Sequence, residues 1–140
     1  MKRIITNSEI ETKKIAEEIA ENIKGNQIII LNGELGAGKT KFTEGFLSYF
    51  NLEKEISSPT FTIVNEYKNE KAVIYHFDVY RLSDIDEFYA IGGEEYFNKG
   101  ICIIEWGDII KEVLPKHYIE INIEKDEKNT ERRIIYIDEK

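Results

Sequence analysis

Apolar residues along the chain fall into two periods. Residues 1–6 read as a short strand. Ser8 and Glu11 have capping-box spacing, and Ile10, Ile15, Ile19 and Ile23 form an apolar stripe, so a helix is predicted over 9–24, stopped by Gly25-Asn26. Gln27-Ile28-Ile29-Ile30-Leu31-Asn32 is an almost uninterrupted β-branched run, the pattern of a strand buried on both faces. Phe42, Phe46 and Tyr49 then recur at helical spacing, predicting a helix over 38–50. Two extended segments, 61–67 and 72–80, flank the polar turn Lys68-Asn69-Glu70-Lys71. One or two short helices broken at Gly92-Gly93 fit 84–97, and 101–106 is a further buried strand. Residues 118–124 and 133–138 alternate as a hairpin around a charged turn at 125–131.

This order of elements predicts an α/β fold of the P-loop NTPase kind: a mixed sheet flanked by helices, with a C-terminal β-hairpin. No repeat, low-complexity tract or boundary interrupts residues 1–140, which read as a single domain. The N-terminus turns polar too soon for a signal peptide, and no apolar run approaches the roughly 18 residues that span a bilayer. One cysteine, Cys102, precludes an intrachain disulfide and suits a reducing compartment. A soluble, cytoplasmic protein with no membrane contact is the expectation. The net charge of −8 argues against autonomous nucleic-acid binding, because neutralising phosphates takes clustered Lys and Arg. Only Arg3, Arg81, Arg132 and Arg133 are available as internal arginine fingers.

The most informative segment is Gly33-Glu34-Leu35-Gly36-Ala37-Gly38-Lys39-Thr40, which fits G-x-x-x-x-G-K-[ST] at every fixed position, between a strand and a helix. Glycines let the backbone wrap closely around phosphate oxygens with several N–H groups pointing inward. The helix that follows adds its positive N-terminal end. Lys39 is placed to meet the β/γ-phosphates and the Thr40 hydroxyl to meet Mg²⁺.

Such a loop needs an acid at the end of a neighbouring strand, to hold Mg²⁺ directly or through water. Asp78 closes Val73-Ile74-Tyr75-His76-Phe77-Asp78, and Glu105 closes Ile101-Cys102-Ile103-Ile104-Glu105. Ser57-Ser58-Pro59-Thr60 is either an ordinary turn or a hydroxyl-rich loop that closes over the γ-phosphate. His76, inside a strand, reads first as a packed or hydrogen-bonded side chain, and Cys102 as core. Trp106 reads equally as core or as a neighbour of nucleotide or partner.

Four blocks together closely resemble the TsaE (YjeE) family: the glycine loop, Ser58-Pro59-Thr60-Phe61-Thr62, His76-Phe77-Asp78-Val79-Tyr80-Arg81-Leu82 and Ile104-Glu105-Trp106. The resemblance covers nearly the whole chain and is loosest in the C-terminal hairpin. It implies a small ATPase of tRNA threonylcarbamoyladenosine biosynthesis that binds ATP with Mg²⁺ and hydrolyses it slowly alone. Such a protein acts with TsaB- and TsaD-like partners, which modify adenosine 37 of tRNA, and resets or regulates their complex. Its contact with tRNA is indirect. The resemblance also implies residue roles. Gly33 to Thr40 bind the nucleotide, with Glu9 near its adenosine end. Asp78, Glu105 and Thr60 belong to the hydrolytic centre. Thr40 and Glu105 are favoured for the metal, and Arg132 or Arg133 for a nucleotide contact.

Three rival readings are weighed against this one. A GTPase would carry Asn-Lys-x-Asp and Asp-x-x-Gly, whereas the chain has Asn98-Lys99-Gly100-Ile101 and Asp78-Val79-Tyr80-Arg81. A small P-loop kinase would want an arginine-rich lid, for which four arginines leave little room. A regulatory NTP-binding module with incidental hydrolysis is left open.

Overall fold

The structure, a computed structural model, describes residues 1–34, 36–55 and 63–140. Its order is β1 (Lys2–Thr6), α1 (Glu9–Glu21), β2 (Ile28–Gly33), α2 (Lys39–Tyr49), β3 (Val64–Lys68), β4 (Val73–Asp78), α3 (Ile85–Ala90), β5 (Ile101–Glu105), β6 (Ile119–Lys125) and β7 (Arg133–Glu139). Short 3₁₀ segments intervene at Glu53–Glu55, Val79–Arg81, Gly93–Asn98 and Gly107–Val113. The strands form one seven-stranded sheet in the order β1-β7-β6-β2-β5-β4-β3. The four central strands, β6, β2, β5 and β4, run parallel; β3, β7 and β1 are antiparallel to their neighbours. The mixed sheet and the C-terminal hairpin both appear as the apolar pattern predicts.

The unbroken apolar run of β2 serves two layers at once. Ile29 and Leu31 pack with Ala16, Ala20, Phe42 and Phe46 under α1 and α2. Ile28 and Ile30 pack on the opposite face with Phe77, Phe88, Cys102 and Ile104. A strand with side chains buried on both faces has no polar side to alternate with.

Helix α1 starts where the sequence places it. Ser8 Oγ accepts the Glu11 N–H at 3.2 Å, and the Glu11 carboxylate accepts the Asn7 N–H at 2.6 Å. Its end differs: α1 stops at Glu21, capped at Asn22, short of the Gly25-Asn26 signal. Of the predicted stripe, Ile15, Ile19 and Ile23 pack half-buried against the core, and Ile10 does not. The face that is fully buried carries Thr12, Ala16 and Ala20, whereas Ile10 is exposed. Small residues win here because α1 and α2 approach closely: a Cβ built on Gly45 would lie 2.4 Å from the Lys13 carbonyl oxygen. Gly45→Val is therefore expected to force the helices apart, costing about 1–3 kcal/mol. Thermal melting would show this as a midpoint several degrees lower, and an unchanged midpoint would contradict the close helix contact.

Two strands are shorter than their apolar runs. β4 ends at Asp78, because the Asp78 carboxylate accepts the Tyr80 N–H at 3.1 Å and turns Val79–Arg81 into a 3₁₀ segment. β5 ends at Glu105, because Trp106 adopts a left-handed conformation (φ 62°). The segment 84–97 does break at the glycine pair, Gly92 having φ 70°. Among the described residues no helix is long and apolar enough to cross a membrane.

Candidate functional site

Parallel pairing lines up the strand ends. Leu31 of β2 pairs with Glu105 of β5, and Glu105 pairs with Asp78 of β4. The glycine loop leaving β2 and the two acids thus share the C-terminal edge of the sheet, next to the strand from which the chain continues to both sides. Open α/β sheets bind ligands at that place. An open cleft of about 750 Å³ lies there. Gly36, Gly38, Lys39 and Thr40 line one wall, and His76, Asp78, Glu105 and Trp106 another. Glu9 on the first turn of α1 and Arg133 at the start of β7 reach it from further sides.

The loop has the form that anion binding requires. Gly36 and Gly38 have φ of 80° and 106°, and Gly38 is the N-cap of α2 with no side-chain cap. An uncapped first turn leaves N–H donors free to meet an anion. Gly33 is needed for a different reason: a Cβ there would lie 2.9 Å from the Ile123 carbonyl oxygen of β6.

Lys39 begins α2 and turns its ammonium to Glu105. Nζ lies 3.5 Å from Glu105 Oε1 and 4.2 Å from the centroid of the Trp106 ring. Trp106 is itself packed against Tyr80, with ring centroids 5.4 Å apart. Glu105 is held from its other oxygen by His76 Nε2 at 2.5 Å. Burial by itself raises the Glu105 pKa. The hydrogen bond and charge of His76, joined by Lys39, outweigh it and hold the carboxyl below its ordinary value. Glu105 thus favours its anionic form in the cleft.

Among the residues proposed from sequence, the cleft brings together Glu9, Glu34, Gly36, Gly38, Lys39, Thr40, Asp78 and Glu105. Gly33 and Ala37 belong to the same loop without lining the cleft. Leu35 and Thr60, with the rest of 56–62, lie outside the described residues. The two arginines separate. Arg133 lines the cleft, whereas Arg132 bonds to Asn7 Oδ1 and lies 3.5 Å from Asp126 Oδ2. Tyr80, Thr130 and Glu131 also line the cleft. Sequence reasoning did not place them in the site, since nothing local marks Tyr80 as facing the glycine loop, or Thr130 and Glu131 as facing a loop nearly a hundred positions earlier. Among the described residues no group of three His, Cys, Asp or Glu side chains forms a metal cluster. A P-loop Mg²⁺ site does not need one, because hydroxyl, phosphate and water supply the other ligands.

Cys102 takes no part in the cleft. It is fully buried, and burial pushes its thiol up to about 12. Its proton is retained in the folded state well above the ordinary value of 9.0, so the stabilisation it gives is complete below that pH and fades as pH rises toward about 12. At pH 8 the native thiol is expected to resist alkylation and react only as the protein unfolds. Rapid labelling of native protein would contradict that.

A family model described as "Threonylcarbamoyl adenosine biosynthesis protein TsaE" matches residues 6–134. The chain belongs to the TsaE family. The tRNA threonylcarbamoyladenosine biosynthesis protein TsaE of Rickettsia conorii is 46% identical over 124 residues, 88% of this chain and 71% of that protein. The TsaE of Bacillus subtilis is 42% identical over 116 residues, 82% and 72% of the two chains. The crystal structure of B. subtilis YdiB superposes with a TM-score of 0.73 at 36% identity, covering 96% of this chain and 82% of that one. The α/β fold is thus the fold of a TsaE-family relative.

Proposed function

We propose that this TsaE-family chain is a Mg²⁺-dependent ATPase that serves tRNA threonylcarbamoyladenosine formation. In this reading it binds and slowly hydrolyses ATP, and so resets or regulates a complex of TsaB- and TsaD-like proteins acting at adenosine 37 of tRNA. The observation that carries the reading is the arrangement around Lys39: a P-loop lysine at an uncapped helix N-terminus, facing an ionised Glu105 in a cleft of about 750 Å³. The residues present fit ATP and Mg²⁺. The glycines at positive φ leave room for a phosphate chain, and the donor set is N–H groups, an ammonium and a hydroxyl.

In this reading the loop N–H groups and Lys39 hold the phosphates. Thr40 and Glu105 hold the metal, and Asp78 orients the attacking water. Mg²⁺, when bound, supplies charge neutralisation at the phosphates. Glu105 is kept charged by His76 and Lys39, and Lys39 is kept at the cleft by Glu105 and Trp106. Glu9 contacts the nucleoside end, and Thr60 belongs to the loop that closes the site. The names of the relatives support the pathway, and a soluble cytoplasmic protein consisting of one domain is part of the same proposal. Titration calorimetry with Mg·ATP and Mg·GTP tests the nucleotide: ATP should bind and GTP bind more weakly. Preference for GTP, or no binding, would reject the reading.

The rival kinase and binding-module readings gain no observation from the cleft. Arg133, the one lining arginine among the described residues, is bonded to backbone carbonyls and does not project as a lid.

A further inference from the structure

The C-terminal hairpin is the least recognisable part of the sequence, yet its two ends meet the glycine loop. Lys125, the last residue of β6, pairs in register with Arg133, the first residue of β7. A Cβ built on Gly36 would lie 2.9 Å from Lys125 Nζ, and one built on Gly38 would lie 3.5 Å from Arg133 Nε. Arg133 directs hydrogen bonds from all three of its nitrogens to main-chain carbonyls. Its Nε donates to the Ala37 carbonyl at 2.8 Å and Nη2 to the Gly36 carbonyl at 3.4 Å. Its Nη1 donates to the carbonyls of Thr130 and Arg132 at 2.6 and 2.9 Å. One guanidinium thus ties the turn of the hairpin to the middle of the loop.

The consequence follows from peptide geometry. In a trans peptide the C=O and the N–H point in opposite directions. Anchoring the Ala37 carbonyl therefore directs the Gly38 N–H away from Arg133. Anchoring the Gly36 carbonyl likewise fixes the Ala37 N–H, which donates to the Glu34 carbonyl at 2.9 Å and closes the turn. Gly36 and Gly38, both at positive φ, have no side chains to restrict them, and glycine carries the largest backbone entropy. A planar fork that grips two successive carbonyls supplies the restraint the glycines lack.

We propose that Arg133 is a positioning residue for the phosphate-binding loop, holding the Gly36 and Ala37 carbonyls so that the loop N–H groups are set before an anion arrives. This deepens the nucleotide-site reading and rests on it for the ligand. The hairpin is thereby a working part of the site and not an appendage to the sheet.

The test uses Arg133→Ala, Arg133→Lys and Lys125→Gln in the full chain, with two readouts. The first is backbone amide exchange of Gly38 and Lys39 in nucleotide-free protein, compared with amides of β2 and β5. The second is Mg·ATP affinity. Both Arg133 variants are expected to exchange faster in the loop alone and to bind ATP about tenfold or more weakly. Lysine keeps the charge but cannot grip both carbonyls, so it should not rescue. Lys125→Gln removes a nearby cation without touching the tether and should change affinity less than threefold or so at physiological salt. Wild-type affinity in Arg133→Lys, unchanged loop exchange in Arg133→Ala, or an equal loss in Lys125→Gln would overturn the proposal. Should Arg133→Ala fail to fold, Arg133→Lys decides alone. If wild-type protein binds no ATP, the nucleotide reading fails while the exchange comparison still decides the positioning role.

Discussion

Lys39→Ala is expected to weaken Mg·ATP binding or turnover by about two orders of magnitude, equivalent to roughly 3 kcal/mol. Two effects add. The variant loses the ammonium that would neutralise phosphate charge, and it takes from Glu105 the cation that, beside His76, offsets its charge in the cleft. That second effect raises the negative potential where an anion must enter. The fold should survive, because Lys39 occupies the first turn of α2 and the buried face of that helix is carried by Phe42, Phe46 and Leu47. Calorimetry on wild type and variant, with melting curves as the check on folding, measures the effect. Equal affinity and equal turnover in a folded variant would contradict the assignment of the loop.

Asp78→Asn and Glu105→Gln are expected to act differently from Lys39→Ala. Each keeps its size and removes one negative charge from adjacent strand ends. Loss of a group that acts in the transition state costs turnover by about a hundredfold or more, while ground-state binding changes far less. Affinity for Mg·ATP is expected to stay within about tenfold of wild type in both variants. Glu105→Gln also removes the charge that holds Lys39 and accepts from His76, so its effect should exceed that of Asp78→Asn. Steady-state turnover in the presence of partners, set beside calorimetry, separates the two quantities. Normal hydrolysis by both variants would remove these carboxylates from the centre.

What was legible in the sequence was whatever the chain writes locally. The glycine loop is a contiguous motif between a buried strand and a helix, and its form follows from eight successive residues. Asp78 and Glu105 were legible because each closes an apolar run. Their being side by side was not, since it depends on β4 pairing parallel to β5 in a particular register. His76 reads in sequence as one more buried strand residue; only the pairing brings it to Glu105. The hairpin was legible from alternation, but not its place beside β2, which is what carries Arg133 to the loop. Periodicity ranks residues by apolarity and so picks the isoleucines of α1, whereas its fully buried face, at the close contact with α2, carries the small residues Thr12, Ala16 and Ala20 and leaves Ile10 exposed.

The most direct measurement is ATP turnover by the purified protein, first alone and then with TsaB- and TsaD-like partners and tRNA. Slow Mg²⁺-dependent hydrolysis alone, rising when the partners are added, is the expected result. Fast hydrolysis alone with no response to the partners, or no hydrolysis under either condition, would contradict it.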